Sequence, residues 1–202
     1  MLKHITIEGV RNLAHIQVAL PAGATVLFGA NGSGKTSFLE AIHLLAVGRS
    51  FRTHQSKPVI QHGMAHCRVV GEVQRGRRAT VMGLEKHRDG GVKARVGGEN
   101  VPSLSELALH LPLVLLDTEG LGIVTGPPEG RRRLLDGTLF HVEQGFLSQW
   151  KRYALAVRQR NSGLRRGILS SDKAWRQEIA ETGTLLTQQR QAVAEKLADE
   201  LA

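Results

Sequence analysis

Phe28-Gly29-Ala30-Asn31-Gly32-Ser33-Gly34-Lys35-Thr36-Ser37-Phe38 is the stretch that decides the fold. From Gly29 to Thr36 it meets every fixed position of the phosphate-binding loop G-x-x-x-x-G-K-[ST]. Each position has a mechanical reason. The glycines let backbone N–H groups turn inward around phosphates, in conformations that a side chain obstructs. Lys35 reaches the β- and γ-phosphates as a point charge, and the Thr36 hydroxyl is a ligand for Mg²⁺. Ala30, Asn31 and Ser33 complete the cradle through their backbone. Upstream, Ala24-Thr25-Val26-Leu27-Phe28 reads as a buried strand running into the loop. Downstream, Phe38, Ala41, Ile42, Leu45 and Ala46 recur at helical spacing. Phosphates would therefore sit on a helix N-terminus, where free N–H groups and the dipole favour negative charge.

The rest of the chain limits what such a loop can belong to. A length of 202 residues with 41% hydrophobic residues is enough for one packed domain or slightly more. The first residues, MLKHITIEG, alternate and carry charge, unlike a secretory signal. No uncharged apolar run is long enough to span a membrane. A single cysteine, Cys67, excludes an internal disulfide framework and suits a reducing cytoplasm. The net charge of +9 favours polyanionic partners. It is concentrated between Arg131 and Arg176, which hold eleven Lys or Arg and three acids.

Periodicity divides the chain. Ile5 and Ile7, then Ile16, Val18 and Leu20, alternate as a hairpin around Gly9–Leu13. The loop helix should run to about Val47, with Gly48 as its stop. Residues 66–100 read as further strands separated by Asp89-Gly90-Gly91 and Gly97-Gly98. Ser103 and Glu106 have capping-box spacing. Leu113–Leu116 reads as a short buried strand, and Gly126-Pro127-Pro128-Glu129-Gly130 marks a boundary. The expected organisation is an ATP-binding head lobe over 1–125 and a basic helical lobe over 126–202. In the second part Trp150, Tyr153, Val157, Leu164 and Ile168 form an apolar seam. Lys151, Arg158 and Arg165, each seven residues apart, line a stripe beside it, and Arg131-Arg132-Arg133 opens the basic part. A second long amphipathic pattern, from Trp175, reaches Ala202 with no stop signal, as expected for a piece of a longer chain.

A working loop ATPase also needs an acid at a strand end to hold Mg²⁺ and polarise water. Asp117, directly after Leu113–Leu116, has that position, with Glu119 nearby. On this pattern alone, a small self-contained loop NTPase or kinase using Asp117 is an open alternative. His62, His66 and Cys67 are too loosely spaced for a zinc site. No Ser-His-Asp or Cys-His arrangement stands out.

Several ordered motifs carry a family resemblance. They are Arg11-Asn12, FGANGSGKTSFLEAIHLLAVGRSFR from Phe28 to Arg52, EGLGIVTGPPEGRRRLLD from Glu119 to Asp136, LFHVE from Leu139 to Glu143, and RQRN from Arg158 to Asn161. Together they resemble the RecF family of bacterial recombination mediator ATPases, whose heads are related to those of SMC and ABC ATPases. The resemblance implies an α/β P-loop NTPase of ABC-ATPase-head type with a mixed sheet, followed by a helical lobe. It implies binding of ATP with Mg²⁺, ATP-dependent homodimerisation, and binding to single-stranded or gapped DNA. It also implies RecO and RecR as partners in loading recombinase, within DNA repair, replication and the SOS response. By position, Arg11 and Asn12 match a segment near the nucleotide, and Arg49 and Arg52 match an arginine-bearing loop linking nucleotide to DNA. Three departures bear on hydrolysis. Leu113–Leu116 lack the glutamine that touches Mg²⁺ in ABC ATPases. The family's metal-side acids lie beyond residue 202, which argues against Asp117, and its signature motif is not in these residues. Gly137 also stands where a larger residue is common. The expectation is a chain that binds ATP and hydrolyses little of it alone.

Overall fold

The computed structural model describes residues 1–53, 55–116, 122–167 and 172–201. They fall into two compact units, Met1–Val114 and Leu115–Ala202.

The first unit is built on a six-stranded sheet of order β2-β1-β3-β4-β5-β6. Its strands are β1 (Leu2–Val10), β2 (Leu13–Ala19), β3 (His66–Arg75), β4 (Arg78–His87), β5 (Val92–Val96) and β6 (Glu99–Asn100). Every pairing is antiparallel. Period-two alternation sends Ile5 and Ile7 of β1, Cys67, Val69 and Val73 of β3, and Met82 and Leu84 of β4 into the core. Helix α1 (Lys35–Val47) covers that face with Phe38, Ala41, Leu44, Leu45 and Ala46. Burying each of the large side chains stabilises the unit by about 1.5–3 kcal/mol. Gly48, at φ 76°, ends the helix as expected, and its N–H caps the Leu44 carbonyl. Lys86 is also buried, and its Nζ donates to the Gly48 carbonyl at 3.3 Å.

Three expectations fail locally. Ala24–Phe28 has no regular secondary structure and joins no strand ladder, and Val26 and Phe28 are 79% and 91% exposed. Leu113–Leu116 likewise forms no strand, with Val114 and Leu116 at 80% and 85%. Both runs have strand composition, but a strand exists only as one side of a hydrogen-bonded pair. No described segment pairs with either. The capping box does not form either: α2 (Ser105–His110) has Leu104 at its N-cap, and Ser103 Oγ instead accepts the Ser105 N–H at 3.4 Å.

The second unit is helical: α3 (Gly122–Thr125), α4 (Pro128–Val142), α5 (Phe146–Arg165) and α6 (Asp172–Leu201). Its core holds Leu139, Phe146, Leu186 and Val193, with Leu135, Phe140 and Tyr153 against them. Ion pairs bind the helices together. Arg190 grips Asp136 through two bonds of 2.7 and 2.9 Å, Arg152 grips Glu178, and Arg160 reaches Asp172 at 2.8 Å. Of the expected seam, Tyr153 packs inward, Trp150 and Leu164 are 41% and 42% exposed, and Ile168 lies outside the described residues. Among the described residues no helix is long and apolar enough to cross a membrane.

Candidate functional site

The loop meets α1 through Gly34, at φ 101°. This residue must be glycine twice over. The left-handed backbone disfavours any side chain, and a Cβ here would come within 2.6 Å of Leu13 Cδ2. No side-chain hydrogen bond caps α1. Its first N–H groups are therefore available to an anion along the helix dipole. Lys35 Nζ donates to the carbonyls of Gly29 and Ala30, both at 2.8 Å, so the loop is closed around the ammonium. Thr36 is exposed on the first turn and lines the same cavity as Lys35. Its hydroxyl would be available there to a cation that accompanies bound phosphates. No cluster of three or more His, Cys, Asp or Glu that could hold a metal occurs among the described residues. Asp117 and Glu119 lie outside the described residues.

A two-residue clip fixes this loop to the sheet. Arg11 and Asn12 form the turn between β1 and β2, and Arg11 is the one described non-glycine residue with positive φ, at 56°. Asn12 Nδ2 donates to the Gly32 carbonyl at 2.8 Å, while its Oδ1 accepts the Ser37 hydroxyl at 2.7 Å. One side chain thus holds the loop and the helix together. Arg11 turns the other way. Its Nε and Nη2 donate to the two oxygens of Glu40 at 2.9 and 2.8 Å.

Glu40 is the residue that the sequence reading missed. Its carboxylate is fully buried, on α1 five residues past Lys35. The Ser50 hydroxyl also donates to it, and Arg52 lies 3.5 Å away. Burial alone would raise its pKa, but the Arg11 and Ser50 hydrogen bonds and the charges of Arg11 and Arg52 outweigh this and hold it below the usual carboxylate range. Ser50 Oγ in turn accepts the N–H groups of Arg52 and Thr53. On the same loop, the His43 Nδ1–H donates to the Arg49 carbonyl at 2.6 Å, and its ring meets Phe51 edge-on. Burial, against the help of that hydrogen bond, holds His43 below its ordinary pKa. The expected residues Arg11, Asn12 and Arg52 therefore do line one cavity with the loop, whereas Arg49 is exposed and is not part of its lining. A signal for Glu40 was present: it is an acid on the apolar face defined by Phe38, Ala41, Leu44 and Leu45.

The expected basic residues of the second unit divide into two kinds. Arg131 donates to the carbonyls of Ile123 and Gly126, and Arg132 and Arg133 pair with Glu129. Lys151, Arg158 and Arg165 are exposed on α5 and have no ion pair among the described residues.

The model of the RecF/RecN/SMC N-terminal domain matches residues 1–163. The chain belongs to the RecF/RecN/SMC N-terminal domain family. It is 43% identical to the DNA replication and repair protein RecF of Stutzerimonas stutzeri (strain A1501) over 182 residues, 89% of this chain and 49% of that protein. A solved structure of the recombination mediator protein RecF with ATPrS, from the RecFOR pathway, matches with a TM-score of 0.86 and 26% identity, over 98% of this chain and 55% of that one. An Smc head domain with an extended coiled coil, derived from Pyrococcus furiosus, matches with a TM-score of 0.57 and 16% identity over 98% of this chain and 58% of that one. The fold is thus that of the RecF and SMC ATPase heads, an ABC-type P-loop fold, and within the family the sequence resemblance is to RecF. The chain spans about half the length of the curated relatives it matches.

Proposed function

We propose that this chain carries the ATP-binding portion of a RecF-type DNA repair and replication ATPase. The observation that carries the reading is the loop geometry: left-handed Gly34, Lys35 at the loop mouth, an uncapped α1 N-terminus and the Thr36 hydroxyl in one cavity. Solved RecF structures that contain ATP and ATPrS support ATP as the nucleotide. Residues 29–36 bind the triphosphate, Thr36 takes a place on Mg²⁺, and the Arg11–Asn12 clip keeps the loop in register. Mg²⁺ supplies charge neutralisation across the phosphates. The whole protein acts as an ATP-dependent homodimer with RecO- and RecR-type mediators at gapped or single-stranded DNA, where it helps to load recombinase. It takes part in the SOS response in the cytoplasm. The unpaired stripe Lys151, Arg158 and Arg165 supports a backbone contact to nucleic acid, since phosphates recruit cations that no acid already holds. Arg131, Arg132 and Arg133 play a smaller part, because carbonyls and Glu129 occupy them.

The test is calorimetric titration of the chain with Mg–ATP, against Lys35→Ala. The variant is expected to lose at least about tenfold in affinity, equivalent to the ~1.4 kcal/mol of one charge-assisted phosphate contact. Equal affinities for the two proteins would overturn the nucleotide reading.

A further inference from the structure

Helix α5 carries cations on two sides, and acids meet only one of them. Arg152 bonds to Glu178 at 2.8 and 3.1 Å, and Arg160 reaches Asp172 at 2.8 Å, so both are committed to α6. Lys151, Arg158 and Arg165 are spaced seven residues apart, which sets them on one line of the helix about 10.5 Å from each other. All three are exposed, and none has an ion pair among the described residues. The helix cannot neutralise them itself, since its 20 residues include no Asp or Glu.

Trp150 stands at the start of this line. It precedes Lys151 by one residue and Arg158 by eight, so it lies within about 100° of both around the helix axis. Its side chain is 41% exposed. A tryptophan placed for packing buries its ring and finds a partner for its indole N–H. Trp150 has neither a hydrogen bond nor a ring contact among the described residues. Tyr153, one turn further on, shows the contrast: it packs against the core of Leu139, Phe146, Leu186 and Val193.

We infer that this face of α5 binds a single DNA strand, with an unstacked base laid on the Trp150 ring and neighbouring phosphates against Lys151, Arg158 and Arg165. The two features select the ligand together. A line of cations that no acid neutralises recruits an extended polyanion. An exposed indole beside it adds a flat ring on which any base can stack, whatever the sequence. A duplex satisfies only half of this, because its bases are already stacked on each other. An acidic protein segment offers charge without the ring surface. The inference deepens the DNA reading above and rests on it: the cations alone hold any DNA backbone, and Trp150 supplies the preference for single strands.

Fluorescence tests it, because the chain has only two tryptophans and the other, Trp175, can be replaced. In Trp175→Phe, emission from Trp150 is expected to be quenched by a short oligothymidylate, and to change little with a duplex of equal length or an abasic strand of equal charge. Trp150→Ala is expected to weaken binding of the oligothymidylate about tenfold, the scale of one stacked base, and to leave the abasic strand unchanged. Its salt dependence should stay as it was, since no phosphate contact is lost. Trp150→Phe, which restores a ring, is expected to recover most of the affinity. If the oligothymidylate binds without quenching, if all three ligands quench alike, or if Trp150→Ala weakens all three alike, the stacking site is wrong and the cationic stripe stands. If no strand binds, or if alanine at Lys151, Arg158 and Arg165 together changes nothing, the DNA reading of α5 itself fails.

Discussion

Removing the Glu40 carboxylate should damage this protein far more than its single position suggests. In Glu40→Ala, Arg11 keeps a guanidinium only 20% exposed with no counter-charge. Stripping one partner from a buried ion pair costs about 3–5 kcal/mol. Arg52, 45% exposed, adds at most ~1 kcal/mol, since solvent screens it. The Ser50 hydroxyl loses an acceptor, worth about 1 kcal/mol. The expected loss is therefore at least about 4 kcal/mol, a large share of the ~5–15 kcal/mol typical of a domain. Urea denaturation followed by circular dichroism at pH 7 reads it directly. With a slope near 2 kcal/mol/M the midpoint should fall by about 2 M. Glu40→Leu combined with Arg11→Leu should be less destabilised than Glu40→Ala, because the only charge left without its partner is the half-exposed Arg52. The pH dependence has a definite sign. Glu40 titrates lower when folded than when unfolded, so its contribution is complete above the unfolded value near 4.3 and disappears as pH falls through the folded value. The gap between wild type and Glu40→Gln should thus be constant above about pH 5.5 and narrow on acidification below about pH 4. A Glu40→Ala protein within 1 kcal/mol of wild type, or a gap that widens in acid, would refute the reasoning.

Three further outcomes are expected. Asn12→Ala removes a single side chain that bonds both Gly32 and Ser37, so ATP affinity should fall about 5-fold, at roughly 1 kcal/mol, with a smaller change in stability; titration calorimetry measures the first and thermal melting the second. Burial pushes the Cys67 thiol up to about 11, and it is 2% exposed, so a thiol reagent at pH 8 should label it only after unfolding. Alanine at Lys151, Arg158 and Arg165 together should flatten the plot of log affinity for single-stranded DNA against log salt by about 2 units of slope, at about 0.7 per lost contact; an unchanged slope would remove α5 from the DNA interface.

How far the fold could be read depended on whether a signal was local. The hairpin, α1 with its Gly48 stop, and the long α5 and α6 were legible because each repeats a pattern within a few residues. The phosphate loop was legible because its geometry needs specific residues at fixed spacing. Ala24–Phe28 and Leu113–Leu116 were misread for the opposite reason. Their apolar composition reports that burial is needed, but not which segment supplies it, and ladder pairing is a property of two stretches of chain. Val26, Phe28, Val114 and Leu116 consequently stand open where strands were expected. Ser103 had the right neighbours for a capping box, but the helix starts one residue later than that box requires. The site followed the same rule. Lys35 and Thr36 announced themselves, whereas Lys57 and His62 line its cavity only because Ile60 bridges Val10.

Arg11 shows why the pieces of the site cannot be treated separately. A non-glycine residue at φ 56° costs about 1–2 kcal/mol in backbone strain. That cost is offset because the turn makes three connections at once. The Arg11 N–H reaches Val59 and so fixes the Val59–Gln61 segment; its guanidinium reaches Glu40 and so fixes α1 and the Ser50–Thr53 loop; the next side chain, Asn12, reaches Gly32 and Ser37. Glycine at position 11 would relieve the strain yet break the second connection, leaving Glu40 as a buried charge held only by the Ser50 hydroxyl and the more distant Arg52. The strained turn is therefore better understood as the joint of the site than as a loop tip. A ligand that pulls on the phosphate loop pulls, through Asn12, on the same turn that holds the arginine loop and the Val59–Gln61 segment. Coupling between nucleotide and the Arg49–Arg52 loop then needs no large motion, since Glu40 already bonds to both sides.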